Sequence, residues 1–395
     1  MKIMFAVGSY WPSQDGVAHI TEYLAEGLAA KGHEVFVLTS TGNGGLQDLP
    51  KYEANKGVNI TRMRIYVQWP LYLKGRDSFS TKKNYLKQIK GYSPDILVVV
   101  CTQTWTFDWI ASELDELTCK KIFYSHGYSS MKADSDFWGK LKKRNILGAY
   151  GEIKRKYYYK NLYKYLKKFD LLLYLSEYNN SYAYGKEHGL NNFLIMENAI
   201  ESRFFENEMV HTYEPKEKIT FLCVANYNEN KNQEMILKAF CNANIPNGRM
   251  WFSGFEENPY LEKLRNCLEE WLPKDSKKEV RFQVHLSREE IYGLYKEADI
   301  YVCGSKLENS PIVHREAGVT GMPIISTCVG DVQGIDGIVL VDDVETMERE
   351  MESFGTNEKF RREHGEKVRS YILSRKCSIQ DKIDLLEKEM LNLMK

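Results

Sequence analysis

SKLENSPIVHREAG, residues 305–318, is the stretch from which the fold can be read. The residues before it, ADIYVC (298–303), are short, mostly apolar and read as a buried strand. Asn309, Ser310 and Pro311 mark a turn, and a helical pattern opens at Ile312. Strand, loop and helix in that order put Glu308 on a loop at the carboxyl end of a strand. Glu316 then lies about one turn inside the helix, whose first N–H groups point back toward the loop and favour phosphate. An ionised carboxylate is a strong acceptor of paired hydrogen bonds, so one glutamate can hold a sugar hydroxyl while the other grips a ribose. Two glutamates eight apart are by themselves common on solvated helices. The preceding strand, Ser305, Pro311 and Ala317 make this pair a candidate site.

Outward from this stretch, short apolar runs alternate with helical patterns along the whole chain, the signature of parallel sheets joined by crossover helices. Strands are expected at 3–7, 34–39, 96–100, 121–125 and 171–175 in the first half. In the second they are expected at 220–224, 249–252, 280–283, 300–303, 323–326 and 337–341. Helices are expected at 19–31, stopped by Gly32, and at 233–242, 259–271, 288–298 and 312–320. Periodicity lapses over 197–217, where Pro215 lies, and divides the chain into two α/β, Rossmann-like domains. A chain of 395 residues is also too long for one ordinary core. Ligands of such sheets bind at the carboxyl ends of the strands, so two facing domains imply a shared central cleft.

Composition excludes several classes. With 43% hydrophobic and 27% charged residues the chain is globular and not disordered. No run of 18 apolar residues exists, so no bilayer-spanning segment is expected, and the opening MKIMFAVGSYWP reads as a first buried strand. The eight cysteines never approach CxxC spacing, and several sit in apolar runs; this points to a reducing, cytoplasmic compartment and no zinc site. No pair of histidines has ligand spacing; His33, His285 and His314 read as structural or exposed. The formal net charge of zero hides an asymmetry: residues 1–195 carry 27 Lys+Arg against 18 Asp+Glu, residues 196–395 carry 27 against 36. The basic half is the candidate for an anionic surface.

The 305–318 stretch resembles the E-x7-E motif of family-four GT-B glycosyltransferases, S-x-x-E-G-F-x-x-V-x-x-E-A, at Ser305, Glu308, Val313, Glu316 and Ala317. Residues 7–37 resemble that family's opening, with Pro12, a glycine loop at Gly16, a helix and KGHEV at 31–35. YSHG (124–127) is similar to the histidine that ends a central strand of the first domain, and NAI (198–200) to the linker. VANYNENKN (224–232) resembles the phosphate loop G-R-x-x-x-x-K-G, with Lys231 in the lysine position and Asn226 in place of the arginine. Asp15–Gly16 stands where the family has two glycines, and Val284 where it has a glycine. The resemblance implies an acceptor domain at 1–196, a donor domain at 197–375 and a terminal helix, 376–395, crossing back to the first. It implies that Lys231 neutralises the donor diphosphate, with Gly16 and Asn226 at donor-binding positions and one of two expected cations missing at Asn226. His126 would contact the donor sugar beside the reacting carbon, Glu308 its hydroxyls and Glu316 the ribose, with the N–H groups of Asn309, Ser310 and Pro311 on the phosphates. It implies a retaining hexosyltransferase that takes a nucleotide diphosphate sugar, a UDP-sugar above all, and needs neither metal nor cofactor. No D-x-D motif is present, and the D-D pair Asp342–Asp343 lies in a late loop.

A second region, 139–169, holds eleven Lys/Arg, six tyrosines and the single acid Glu152. Basic residues interleaved with tyrosine suit an anionic lipid interface, and members of the resembled family often glycosylate lipid-linked acceptors. The plainer reading is a surface helix whose tyrosines pack on the sheet. Nucleic acid is not expected, since no binding motif accompanies the charge. The expected acceptor is a lipid-linked or other cell-envelope glycan, met by a peripheral enzyme at the inner face of the membrane. Competing readings are a nucleotide-sugar epimerase, a phosphorylase, or an inactive scaffold of the same architecture.

Overall fold

The computed structural model describes residues 1–13, 15–41, 49–68, 71–74, 78–128, 131, 137–142, 145–214 and 216–395. Pro215, Lys143 and Arg144, which entered the sequence reading, lie outside them. The chain forms two compact units, 1–198 with 379–395, and 199–378.

The first unit is built on an eight-stranded sheet. Its strands are β1 (Lys2–Ala6), β2 (Glu34–Ser40), β3 (Tyr52–Asn55), β4 (Val58–Met63), β7 (Ile96–Val100), β8 (Lys120–Ser125), β9 (Leu171–Tyr174) and β10 (Phe193–Ile195); β5 (Ile65–Gln68) and β6 (Leu71–Lys74) pair separately. The order is β10-β9-β8-β7-β1-β2-β4-β3, all parallel except the antiparallel β3–β4 edge. A central parallel strand is covered on both faces and must be apolar throughout. ILVVV of β7 obeys this, with every residue at 0% exposure, each contributing about 1.5–3 kcal/mol by burial. The helix after β1, Gly16–Ala30, starts earlier than the sequence suggested because the Asp15 carboxylate caps it, accepting from Ala18 N–H at 2.9 Å. It ends as expected, with Gly32 at φ +89°. Helix Ile379–Met394 packs on it, and only a glycine at 27 permits the approach, since a Cβ there would lie 2.1 Å from Ile383 Cδ1. Lys31 Nζ to Asp384 (2.7 Å) and His33 Nε2 to Glu387 (2.8 Å) fasten the rim of this contact.

The second unit carries six parallel strands: β11 (Thr220–Val224), β12 (Arg249–Ser253), β13 (Glu279–Gln283), β14 (Ile300–Cys303), β15 (Ile324–Thr327) and β16 (Val339–Val341). Their order is β13-β12-β11-β14-β15-β16. Alternate residues feed two cores, Phe221, Phe252 and Val302 on one face, Leu222, Trp251 and Tyr301 on the other. Strand order reverses between β11 and β14 here, and between β1 and β7 in the first unit. At such a reversal the loops diverge and leave a crevice at the carboxyl ends.

Candidate functional site

In the second unit the two loops flanking the reversal carry Lys231 and Glu308. The β11 loop is fastened by buried Tyr227, whose hydroxyl donates to Phe252 O (3.0 Å) and Gln283 O (3.1 Å). Asn228 Oδ1 accepts from the N–H groups of Asn230 and Lys231, both at 3.0 Å, and sets the turn that presents Lys231. The two loops are stitched together: Asn230 Nδ2 donates to Leu307 O (2.9 Å), and Lys306 N–H to Asn230 O (2.7 Å). The outcome is an ion pair, Lys231 Nζ to Glu308 Oε1 at 2.5 Å, with side chains 27% and 15% exposed. Asn226 is exposed, and its carbonyl accepts from Gln233 Nε2 at 3.1 Å.

The helix behind Glu308, Ile312–Val319, has Pro311 at its N-cap and no side-chain capping bond, which leaves its first-turn N–H groups facing the loop. Pro311 itself has no N–H, so its expected contact with phosphate is corrected: donors here are Asn309, Ser310 and the first turn. Glu316 is buried, accepting from Arg288 Nη2 (2.7 Å) at Oε1 and from the Tyr295 hydroxyl (3.0 Å) at Oε2. Arg288 reaches Glu201 as well (2.7 Å), and the Tyr292 hydroxyl also donates to Glu201. Ser310 turns its hydroxyl inward, onto the buried pair Arg315–Asp331. The sequence reading missed Arg288, Glu201, Arg315 and Asp331. Arg315, a charge inside an otherwise buried helix start, was the one signal available.

His314 is fully buried. Its Nε2 lies 2.9 Å from Ser326 Oγ, which donates onward to Thr327 O; Nε2 therefore carries the proton and donates. Burial pushes this imidazole down to about 3, so it is a neutral core residue. His33 is half-buried and pairs with Glu387, whereas His285 is exposed, holds φ +57° and donates its backbone N–H to Phe255 O. Asp343 caps helix Val344–Thr356.

In the first unit the reversal gathers the ends of β1, β7 and β8. Burial pushes the Asp15 carboxyl up, but hydrogen bonds from Ser9, Ala18 and Ser13 reverse this and hold it below its ordinary value. Gly16 opens the capped helix, and a Cβ there would meet nothing within 4 Å. After β7, Cys101 and Gln103 hold φ of +64° and +55°, a strained conformation of the kind stored at functional sites. Half-buried His126 follows β8, and its Nε2 is shut from solvent with no hydrogen-bond partner among the described residues. Burial lowers its pKa to about 4, against a small upward pull from Asp15, so it is neutral at pH 7.

Residues 204–371 match the family model Glycosyl transferases group 1, and residues 14–182 match Glycosyltransferase Family 4. The chain belongs to the GT-B glycosyltransferases of the family-four type. No curated protein sequence matches it. Its fold is similar to sucrose-phosphate synthase of Thermosynechococcus elongatus (16% identity, TM-score 0.74, 99% of this chain and 98% of that one). HepE of Anabaena, solved with UDP-glucose, aligns at 12% identity and TM-score 0.68, over 99% and 100% of the two chains. WaaG, a glycosyltransferase involved in lipopolysaccharide biosynthesis, aligns at 16% and 0.63, over 98% of each.

The basic region of this glycosyltransferase forms helices Phe137–Lys142 and Ile146–Leu166. Its tyrosines are divided between core and surface. Tyr159 is buried in the core of the unit, and Tyr158, Tyr163 and Tyr165 pack against it. Tyr150 and Tyr157 are exposed with Ile153 between them, and Trp138 is 73% exposed. Lys156, Lys160, Lys164 and Lys167 are exposed along the same helix. Lys168, Lys82 and Lys90 are engaged by Asp115, Glu113 and Glu116. Among the described residues no helix is long and apolar enough to cross a membrane.

Proposed function

We propose that this glycosyltransferase is a retaining hexosyltransferase. In this reading it takes its sugar from a UDP-sugar and delivers it to a lipid-linked or cell-envelope glycan at the inner face of the membrane. The observation that carries the donor reading is the Lys231–Glu308 pair, set on the two loops that flank the reversal of the donor-unit sheet. A lone diphosphate carries more charge than Glu308 and would draw Lys231 to itself. Lys231, the N–H groups of Asn309 and Ser310 and the uncapped helix start then oppose the charge that develops on the leaving phosphate, an electrostatic and pre-organised form of catalysis. Glu308, released, accepts from the sugar hydroxyls. Glu316 has acceptor capacity beyond its bonds to Arg288 and Tyr295 for a ribose hydroxyl, since a carboxylate offers about four lone-pair sites. We assign His126 to the donor sugar: it stands half-buried at the end of β8, beside the strand-order reversal, and its neutral ring binds without adding charge. Gly16 and Asn226 complete the donor contacts. The absence of D-x-D from the sequence and the presence of these positive groups favour transfer without a metal.

The membrane reading is supported by the exposed stripe Tyr150, Ile153 and Tyr157 continuing into Lys156, Lys160, Lys164 and Lys167. Aromatic residues suit the headgroup level, and each lysine near an anionic surface contributes about 1 kcal/mol before screening.

Product analysis tests the enzymatic reading. Incubated with UDP-glucose, the protein should release UDP. Accumulation of an epimerised sugar nucleotide without UDP would identify an epimerase instead.

A further inference from the structure

The loop that carries Glu308 does not hold its own shape. Residues 305–311 contain no regular element, so the Glu308 carboxylate is fixed by contact with neighbouring loops, the β11 loop at Lys306 and Leu307 being one. They rest on a second loop, which follows β15. Thr327 Oγ1 donates to Ser305 O at 2.6 Å, at the start of the contact. Gly330, at φ +57°, runs directly beneath the next peptide: a Cβ there would lie 2.6 Å from Asn309 O and 3.2 Å from Glu308 O. At the end of the contact, Ser310 Oγ donates to Asp331 Oδ2 at 2.8 Å.

Asp331 is held from the other side. Arg315 Nη2 lies 2.5 Å from Asp331 Oδ2, and its Nη1 donates to Ser310 Oγ at 3.1 Å. Arg315 and Asp331 are each 2% exposed, and Ser310 is 7% exposed. A buried ion pair is a poor source of stability, because desolvation offsets attraction and an apolar pair of the same volume does as well. What it supplies is direction. A guanidinium fork donates in one plane, so Ser310, Asp331 and the helix Ile312–Val319 are locked to one another in a single geometry.

We propose that Arg315, Asp331 and Ser310 are positioning residues for sugar transfer: they fix the loop so that Glu308 and the N–H groups of Asn309 and Ser310 face the donor. The proposal rests on the donor site described above. It distinguishes two kinds of binding. Lys231 stands on the β11 loop, outside the triad, so the nucleoside diphosphate, which loses only the Asn309 and Ser310 N–H contacts, should bind moderately more weakly when the triad is broken. The sugar hydroxyls and the leaving oxygen depend on the 308–310 geometry, so turnover should not survive.

The experiment measures UDP affinity by calorimetry and UDP release from UDP-glucose, with thermal melts alongside. Ser310→Ala removes the loop's own member and leaves the Arg315–Asp331 pair intact. The double variant Arg315→Met/Asp331→Leu removes the pair without stranding a charge. We expect both to melt as folded proteins, to bind UDP more weakly by no more than about tenfold, because only the Asn309 and Ser310 N–H contacts are displaced, and to release UDP roughly 100-fold more slowly, as for a displacement of about 1 Å. Ser310→Thr, which restores a hydroxyl, should recover most of the rate. Wild-type turnover in Ser310→Ala, or a parallel loss of UDP affinity, rate and melting temperature, would overturn the positioning role. Lys231→Ala separates the two claims: if it binds UDP normally the donor site itself is wrong, whereas if it loses UDP while Ser310→Ala keeps full turnover, only the positioning fails.

Discussion

Replacing Glu308 by glutamine should tighten the binding of UDP while it slows the enzyme. In the free protein the Lys231 ammonium is drawn to the Glu308 carboxylate, 2.5 Å away, which engages one of its three donors. A diphosphate competes with this carboxylate for the lysine. Exposed pairs contribute about 0.2–1 kcal/mol; with Glu308 15% exposed and Lys231 27%, the upper end applies. Removing the carboxylate also removes its repulsion of the phosphates, roughly 1 kcal/mol across a few ångströms of well-solvated site. Together these give about 1–2 kcal/mol, a UDP dissociation constant roughly 5–30-fold lower. UDP release from UDP-glucose should fall, since Glu308 no longer accepts fully from the sugar. Calorimetric titration of wild type, Glu308→Gln, Lys231→Met and the double variant closes a cycle that isolates the coupling between the two residues. In the Lys231→Met background the gain from Glu308→Gln should shrink to the repulsion alone. Weaker UDP binding in Glu308→Gln would refute the reasoning, because it would mean that the carboxylate helps the diphosphate.

Turnover should survive EDTA with at most modest stimulation by divalent cations, because Lys231 and the helix start at Ile312 act on the phosphates; complete loss restored by manganese would require another catalytic plan. Stability should fall on acidification: burial lowers His314 to about 3 and His126 and His211 to about 4, so between about pH 6.5 and 4 the unfolded chain binds more protons and stability drains away as pH falls through that window. Melting temperatures at pH 7 and 5 check the sign, and a higher value at pH 5 would contradict it. Lys278→Met should cost about 1–3 kcal/mol in denaturant melts, since Lys278 Nζ donates to Phe240 O (2.7 Å), Cys241 O (2.9 Å) and Ala243 O at the end of helix Gln233–Asn242. Vesicle sedimentation should show binding to anionic and not to neutral lipid, reversed by high salt; indifference to both would return helix Ile146–Leu166 to an ordinary surface role.

The strands that position the site were legible because central parallel strands have no polar face: ILVVV of β7 and TFLCV of β11 announce themselves. The edge strands were not. YEAN of β3 and the three-residue β10 are half-exposed, with too few apolar residues to mark a period. Lys231 and Glu308 were each legible from their loops, but not their pairing, which spans 77 residues and depends on sheet order. Arg315 could be seen as a charge near a buried helix start, whereas its partner Asp331 lies in another loop and carries no local mark. The tyrosines of 150–165 misled by number: which of them face inward is set by the helix phase against the sheet, and four of the six pack there.

Lys231 and Glu308 are proposed to mark the donor site. UDP release from UDP-glucose by wild type, Lys231→Ala and Glu308→Ala, each first verified as folded, tests it most directly. Loss of one charge-assisted contact to the leaving group or sugar should raise the barrier by about 2–4 kcal/mol, so each variant should be slower by roughly 30–1000-fold with its melting behaviour little changed. Wild-type release rates in both variants would contradict the account and place the donor elsewhere.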